Sequence, residues 1–385
     1  MNEDDRVTQD HGIAIDLSRR KRARQDAARE HANLEVLRHS IVGARRAAAP
    51  YVTMARIALS RLARDRLARA GALVLALLAL TGVFADLLAS DLPVLCRWRG
   101  VVYVLPNVTH PSALAGLDCV RMERERAPAD WIVPPLVAYG PAQPDAEVLV
   151  APFVAGHPFG TDSYGRDVFA RVVHGARTAL DVGLAASTVL VAIGVALGAL
   201  AGFAGGIVDA LVARAVEALT AVPTLVLVLV VGALVPHPTT TTLLFTIALT
   251  RWTELARLVR GEVLLALGAD YVTAARALGV SPPRVLWRHV LPNAIGPAVV
   301  GATFAIAWVV LVEATIDFLR VASPDTMASW GEVMGEARAH GNAWWLVAFP
   351  GAALLAALIA LNLVGEAARN AIDPRLRGDE WTKRG

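Results

Sequence analysis

Cysteine and charge are both scarce in this 385-residue chain. There are two cysteines, Cys96 and Cys119, and only 18% of residues are Asp, Glu, Lys or Arg. Two cysteines exclude a disulfide-dense scaffold. So little charge, beside 55% hydrophobic residues and a mean hydropathy of +0.49, excludes an ordinary soluble domain. Three motifs are missing as well. No G-x-x-x-x-G-K-[ST] loop is present to cradle phosphates, so ATP is not held that way by this chain. No H-E-x-x-H occurs, and Ser187 has no histidine near it in sequence. An intramembrane hydrolase would need a nucleophile with a base, or a metal. No catalytic residue, metal site or bound cofactor is therefore expected. A secretory signal is not expected either, because the first apolar run begins near residue 67 without a small-residue cleavage site.

The charge that is present is clustered. A polar tail over 1–65 contains RRKRAR at 19–24. Such a run would suit nucleic acid. Apolar spans follow it, so it reads instead as a cytoplasmic tail obeying the positive-inside rule, with no nucleic-acid partner. Apolar runs lie at 67–89, 178–204, 213–235, 241–259, 294–319 and 343–368. A bilayer crossing takes about 20 such residues. The expectation is an all-α polytopic membrane protein with six transmembrane helices. The chain divides into the tail 1–65, a first transmembrane helix 66–90, a loop 91–175, a five-helix core 176–370 and a tail 371–385.

Basic residues orient it. Arg257, Arg260, Arg276, Arg284 and Arg288 fall between the fourth and fifth runs, and Arg369, Arg375, Arg377, Lys383 and Arg384 at the C-terminus. Both termini and this segment are then cytoplasmic, and the loop 91–175 is outside. The VVYVLPN run there has strand character, so short strands are expected. A Cys96–Cys119 disulfide is allowed in that compartment; it would contribute on the order of 3 kcal/mol, and two free thiols are the alternative. Gly and Ala crowd the later spans, which lets helices approach closely. Pro223 and Pro350 permit kinks. Arg214 and Glu217, like Arg251 and Glu254, are three apart and share a helix face. Glu313 and Asp317, four apart near the outer end of the fifth span, are candidates for lining a pathway and attracting an amino group; facing a partner is the alternative. Trp344 and Trp345 read as interface anchors.

The segment 261–293, GEVLLALGADYVTAARALGVSPPRVLWRHVLPN, carries the sharpest signal. A short helix is expected from Asp270. Ala274, Ala275 and Ala277 favour helix with little bulk. Gly279 can take the left-handed conformation that ends it, and Ser281 can cap a new turn before Pro282. A small-faced surface helix of this kind fits a partner's groove. Tyr271, Thr273, Ala274, Ala275, Arg276, Gly279, Val280 and Ser281 are the candidate docking residues.

Two alanines, then Gly279, then Leu291-Pro292 resemble the EAA loop of ABC importer permeases. The longer string from Tyr271-Val272 through Arg288-His289 to Asn293 is similar to the dipeptide, oligopeptide and nickel branch. HPFGTDSYGRDVFARVVHGARTAL at 157–180, FAGGIVDALVARAVEALTAVPTLVL at 203–227 and the stretch 344–377 resemble other parts of that branch. The resemblance covers most of the chain from about residue 65. It implies a type I ABC importer permease fold in an inner membrane. It implies a second permease subunit in a heterodimer, two cytoplasmic ABC ATPases that use ATP and Mg, and an extracytoplasmic solute-binding protein. Peptides are the implied solutes; nickel, glutathione and peptide conjugates are alternatives within the branch. The loop's usual leading glutamate is Thr273 here. Where the branch usually reads serine and then FLGLG, this chain has Asp317 and Arg320. Outside the branch, the rival reading is a standalone channel, which would conduct without an ATPase.

Overall fold

The computed structural model describes residues 65–145, 147–154, 156–321 and 328–372. The two basic tails lie almost wholly outside these residues. Helix α1 (Arg66–Val83) starts at Asp65, whose carboxylate accepts from the Leu67 and Ala68 N–H groups. It continues, after a break at Phe84, into α2 (Ala85–Leu88). A small subdomain follows. Strand β1 (Leu95–Trp98) lies between β2 (Val101–Val104) and β3 (Trp131–Val133), antiparallel to both. The VVYV run expected to be extended is β2 itself. Short helices α3 (Pro106–Thr109) and α4 (Cys119–Glu125) complete it. Leu92, Cys96, Trp98, Leu114 and Met122 form its core. Cys96 and Cys119 are both buried, and both are free thiols in this structure.

The helical body comes next. Helix α5 (Val168–Ala204) begins about ten residues before the apolar run, capped by the Asp167 carboxylate on the Ala170 N–H. The segment at 213–235 is not one rod. It forms α6 (Gly206–Thr220) and α7 (Thr224–Leu234), which meet at an angle of 77°. Pro223 stands at the break, where its ring and missing N–H end the helical ladder. Helix α8 (Thr240–Leu267) is 28 residues long. The short α9 (Asp270–Ala277) and α10 (Pro282–Val285) follow. A π turn over Leu286–Val290 leads into α11 (Leu291–Phe318). Then come α12 (Trp330–Glu336) and α13 (Trp345–Ile372). Pro350 lies within α13 without dividing it.

All six apolar runs are therefore helical. Among the described residues, four helices are long and apolar enough to cross a membrane, or five with α6 and α7 taken together. Helix α8 has the length, but Arg251, Glu254, Arg257, Arg260 and Glu262 make it more polar.

Helices α5 and α8 form the spine of the body. Gly194, Gly198 and Gly202 recur every fourth residue, so they share one face of α5. A Cβ on Gly194 would stand 3.0 Å from the Trp252 carbonyl oxygen; on Gly198, 2.5 Å from that of Ala256; on Gly202, 3.0 Å from that of Arg260. Backbone meets backbone along this stripe, the close approach that small residues permit. Val259, Val263, Val272, Val285 and Val290 are fully or almost fully buried in the cluster that continues from it. Arg177 ties α1 and α2 to α5, donating to the Gly82 carbonyl at 2.8 Å and to Asp86 at 2.8 Å.

Candidate functional site

The docking segment stands at the end of α5 remote from the sheet. Arg276 lies 6.0 Å over the ring of Phe203, near the C-terminus of α5. Asp270 in the first turn of α9 and Arg276 in its last complement the helix dipole. The helix turns a narrow face inward: Val272 and Ala275 are buried. Tyr271 and Val280 are partly buried against the same cluster, and Tyr271 hydrogen-bonds with the Asn293 side chain. Thr273, Ala274, Arg276, Gly279 and Ser281 are exposed.

The turn that ends α9 is a Schellman motif. The Val280 N–H donates to the Ala275 carbonyl at 3.2 Å and the Gly279 N–H to that of Arg276 at 2.9 Å. This pattern needs a left-handed residue between helix and exit, and Gly279 has φ +76°. No atom lies within 4 Å of where its Cβ would be. The requirement for glycine in this chain is therefore conformational rather than steric.

Ser281 occupies the N-cap position of α10, but its side chain makes no capping bond, contrary to expectation. Pro282 and Pro283 fill the first two helical positions, so of the two N–H groups a cap normally uses only that of Arg284 remains. Helix α10, the π turn and α11 run on as one apolar span from Pro282 to Phe318. Pro292 cannot donate to the carbonyl of Arg288, and the wider turn before it accommodates the ring. A continuous helix thus joins the docking turn to the other end of the body. Leu278, 84% exposed, and Trp287, 69% exposed, project from this segment. Sequence reasoning passed over both, although each is a large apolar residue in an arginine-flanked stretch.

At the opposite end, the two pathway candidates differ. Glu313 is buried and accepts from Ser329 Oγ at 3.0 Å; it also hydrogen-bonds with Asp317. Ser329 caps α12, so the Glu313 carboxylate is enclosed in helix packing. Asp317 is partly exposed. Trp345, expected as an interface anchor, is a core residue: it is buried and donates from Nε1 to the Thr161 carbonyl at 3.0 Å. Trp344 is exposed. Arg251 and Glu254 do pair, through two bonds of 2.5 and 2.9 Å, and Arg214 meets Glu217 at 2.7 Å.

The most concentrated polar structure was not foreseen. It clamps α12 to the turn before α5. Arg166 donates to Asp162 at 2.7 Å and to Glu336 at 2.7 Å, and reaches Glu332 at 3.3 Å. The Arg171 guanidinium lies 2.7 Å from Glu332. Ser163 donates to Glu336 from both its backbone N–H, at 3.1 Å, and its hydroxyl, at 2.6 Å. Asp162, Arg171 and Glu336 are buried. Burial opposes the Arg166 charge, but Asp162, Glu332 and Glu336 outweigh it and hold its pKa above the ordinary value. Beside the clamp, His157 bridges Asp167 at 2.8 Å and Asp145 at 3.2 Å. Burial lifts the pKa of the Asp167 carboxyl above its usual range. The signal in sequence was the pair Glu332 and Glu336, which share a helix face. Their basic partners lie more than 160 residues earlier.

Comparison with known proteins adds a family. Residues 194–378 match the model of the binding-protein-dependent transport system inner membrane component. The chain is 38% identical over 223 residues to a peptide transport system permease protein of Brucella suis biovar 1, covering 57% of this chain and 74% of that one. It is 35% identical over 222 residues to the oligopeptide transport system permease protein OppC of Bacillus subtilis, covering 57% and 72%. It is 33% identical over 256 residues to the di/tripeptide transport system permease protein DppC of Pseudomonas aeruginosa, covering 65% and 83%.

Proposed function

This chain belongs to the binding-protein-dependent transport system inner membrane component family, and from that premise we propose that it forms half of the membrane pathway of an ATP-driven peptide importer. The other half is a second permease subunit. Two ATPase subunits bind ATP and Mg, and one of them docks on the α9 turn, so the chain itself is non-catalytic. A solute-binding protein delivers the peptide at the end that carries the sheet. That end is extracytoplasmic, and both termini are cytoplasmic. The peptide relatives support the choice of solute.

One observation carries the coupling role. An exposed helix with a small-residue face and a left-handed exit at Gly279 leads directly into a continuous helix of 37 residues, about 55 Å long. A push on the turn is then delivered to the far end without an intervening loop. ATP binding draws the ATPases together and biases the bundle between inward-open and outward-open arrangements through this rod.

The test is reconstitution in liposomes. With the second permease, the ATPases and the binding protein, tri-alanine accumulates only when ATP is supplied. The chain alone moves no peptide. Peptide flux through the chain alone, or uptake indifferent to ATP, contradicts the reading.

A further inference from the structure

A cleft of about 490 Å³ opens at the sheet end of the body, bordered by Ser163, Tyr164, Arg320, Glu336, Arg338 and His340. Among the described residues its one carboxylate is already engaged: one Glu336 oxygen takes Arg166 and the other takes Ser163 twice. Arg338 is held in place, its Nε 3.2 Å from the Gly335 carbonyl and its guanidinium 5.1 Å over the Phe318 ring. Among the described residues, neither Arg320 nor Arg338 forms an ion pair. The ring Nδ1 of His340 lies 3.2 Å from the Glu336 carbonyl. That oxygen can only accept, so Nδ1 is the donor and Nε2 remains for another partner.

The backbone fixes where Arg320 stands: its φ of +55° is the left-handed exit of α11, with the Arg320 N–H donating to the Asp317 carbonyl at 3.0 Å and the Val321 N–H to that of Ile316 at 3.1 Å. We propose that this cleft binds a carboxylate group between the Arg320 and Arg338 guanidinium groups. Arginine suits the ligand because its planar fork of donors matches two carboxylate oxygens. Only the source of the carboxylate rests on the import reading: it is the C-terminus of the peptide or an acidic side chain of the binding protein.

The first experiment uses the full chain in zwitterionic nanodiscs, with acetate as probe and acetamide as its neutral counterpart, followed by saturation-transfer NMR. Acetate receives signal and acetamide does not. Arg320→Gly relieves the backbone, so its melting temperature does not fall, yet acetate binding weakens at least about tenfold, the loss of a charge-assisted pair. Arg338→Gln gives a similar loss. Equal signals from the two probes, or unchanged acetate binding in Arg320→Gly, overturn the proposal.

The second experiment uses the reconstituted importer with tri-alanine and its C-terminal amide. Loss of tri-alanine uptake alone in Arg320→Gly assigns the carboxylate to the peptide. Equal loss of both assigns it to the binding protein, and unchanged uptake of both contradicts a role in transport. If the unsubstituted importer carries neither peptide, the peptide reading fails, while the acetate result decides the site by itself.

Discussion

Cys119 begins α4 with its N–H 2.6 Å from the Asp91 carbonyl, and its side chain is buried. Burial first, then the Asp91 and Asp118 carboxylates, push the thiol from an ordinary 9.0 up to about 12. A raised pKa means that folding favours the neutral thiol. Its contribution is fully present below pH 9.0 and is lost as pH rises towards about 12. The melting temperature of the purified chain therefore falls over that window, and Cys119→Ala flattens the fall. The same alkaline slope in Cys119→Ala would contradict this assignment. Sequence showed two cysteines in one loop, but the environment of Cys96 depends on Leu92, Leu114 and Met122 closing around it, which spacing does not report. At Gly279 the outcome was different. Its left-handed φ was legible because a helix former run, a glycine and a proline pair have few other solutions. The same proline pair removes one of the two N–H groups that a Ser281 cap could use, and the cap is not made.

Helices were legible where apolar residues ran long, and their partners were not. The stripe of Gly194, Gly198 and Gly202 is visible in the sequence; that it faces Trp252, Ala256 and Arg260 of α8 is a tertiary fact. The break at Pro223 is visible too, while the 77° bend depends on what α6 and α7 pack against. One such contact is the pair between Arg260 of α8 and Asp209 of α6, at 2.5 and 2.6 Å. The stripe makes a direct prediction. In Gly198→Val the new side chain meets backbone, which cannot yield as a flexible side chain would. Overpacking of this kind costs about 1–3 kcal/mol, so the purified chain should melt at a clearly lower temperature. A Gly198→Val chain as stable as the parent would show that α5 and α8 do not meet along this line.

At the scale of the whole molecule, the continuous helix from Pro282 to Phe318 connects a docking turn at one end to the clamped α12 at the other. The clamp fixes α12 against the turn before α5 through buried charge pairs. Breaking one member of such a network leaves the others uncompensated. Among the described residues the α9 turn has no charge network of that kind: Val272 and Ala275 are buried, Tyr271 bonds with Asn293, Arg276 lies over Phe203, and most of its surface is exposed. That asymmetry suits a part that receives force from a partner. Sequence motifs single out the α9 turn, whose docking role is a proposal, whereas the clamp joins residues too far apart in the chain for spacing to reveal. The most direct test of coupling is Gly279→Val, measured as ATP-driven tri-alanine uptake by the reconstituted importer. Open space around Gly279 leaves the fold of this chain intact, while a β-branched residue cannot hold φ +76°. The account predicts normal membrane insertion and assembly into the body, with uptake reduced to background and ATPase activity no longer responsive to the loaded binding protein. Uptake equal to that of the parent chain would contradict it.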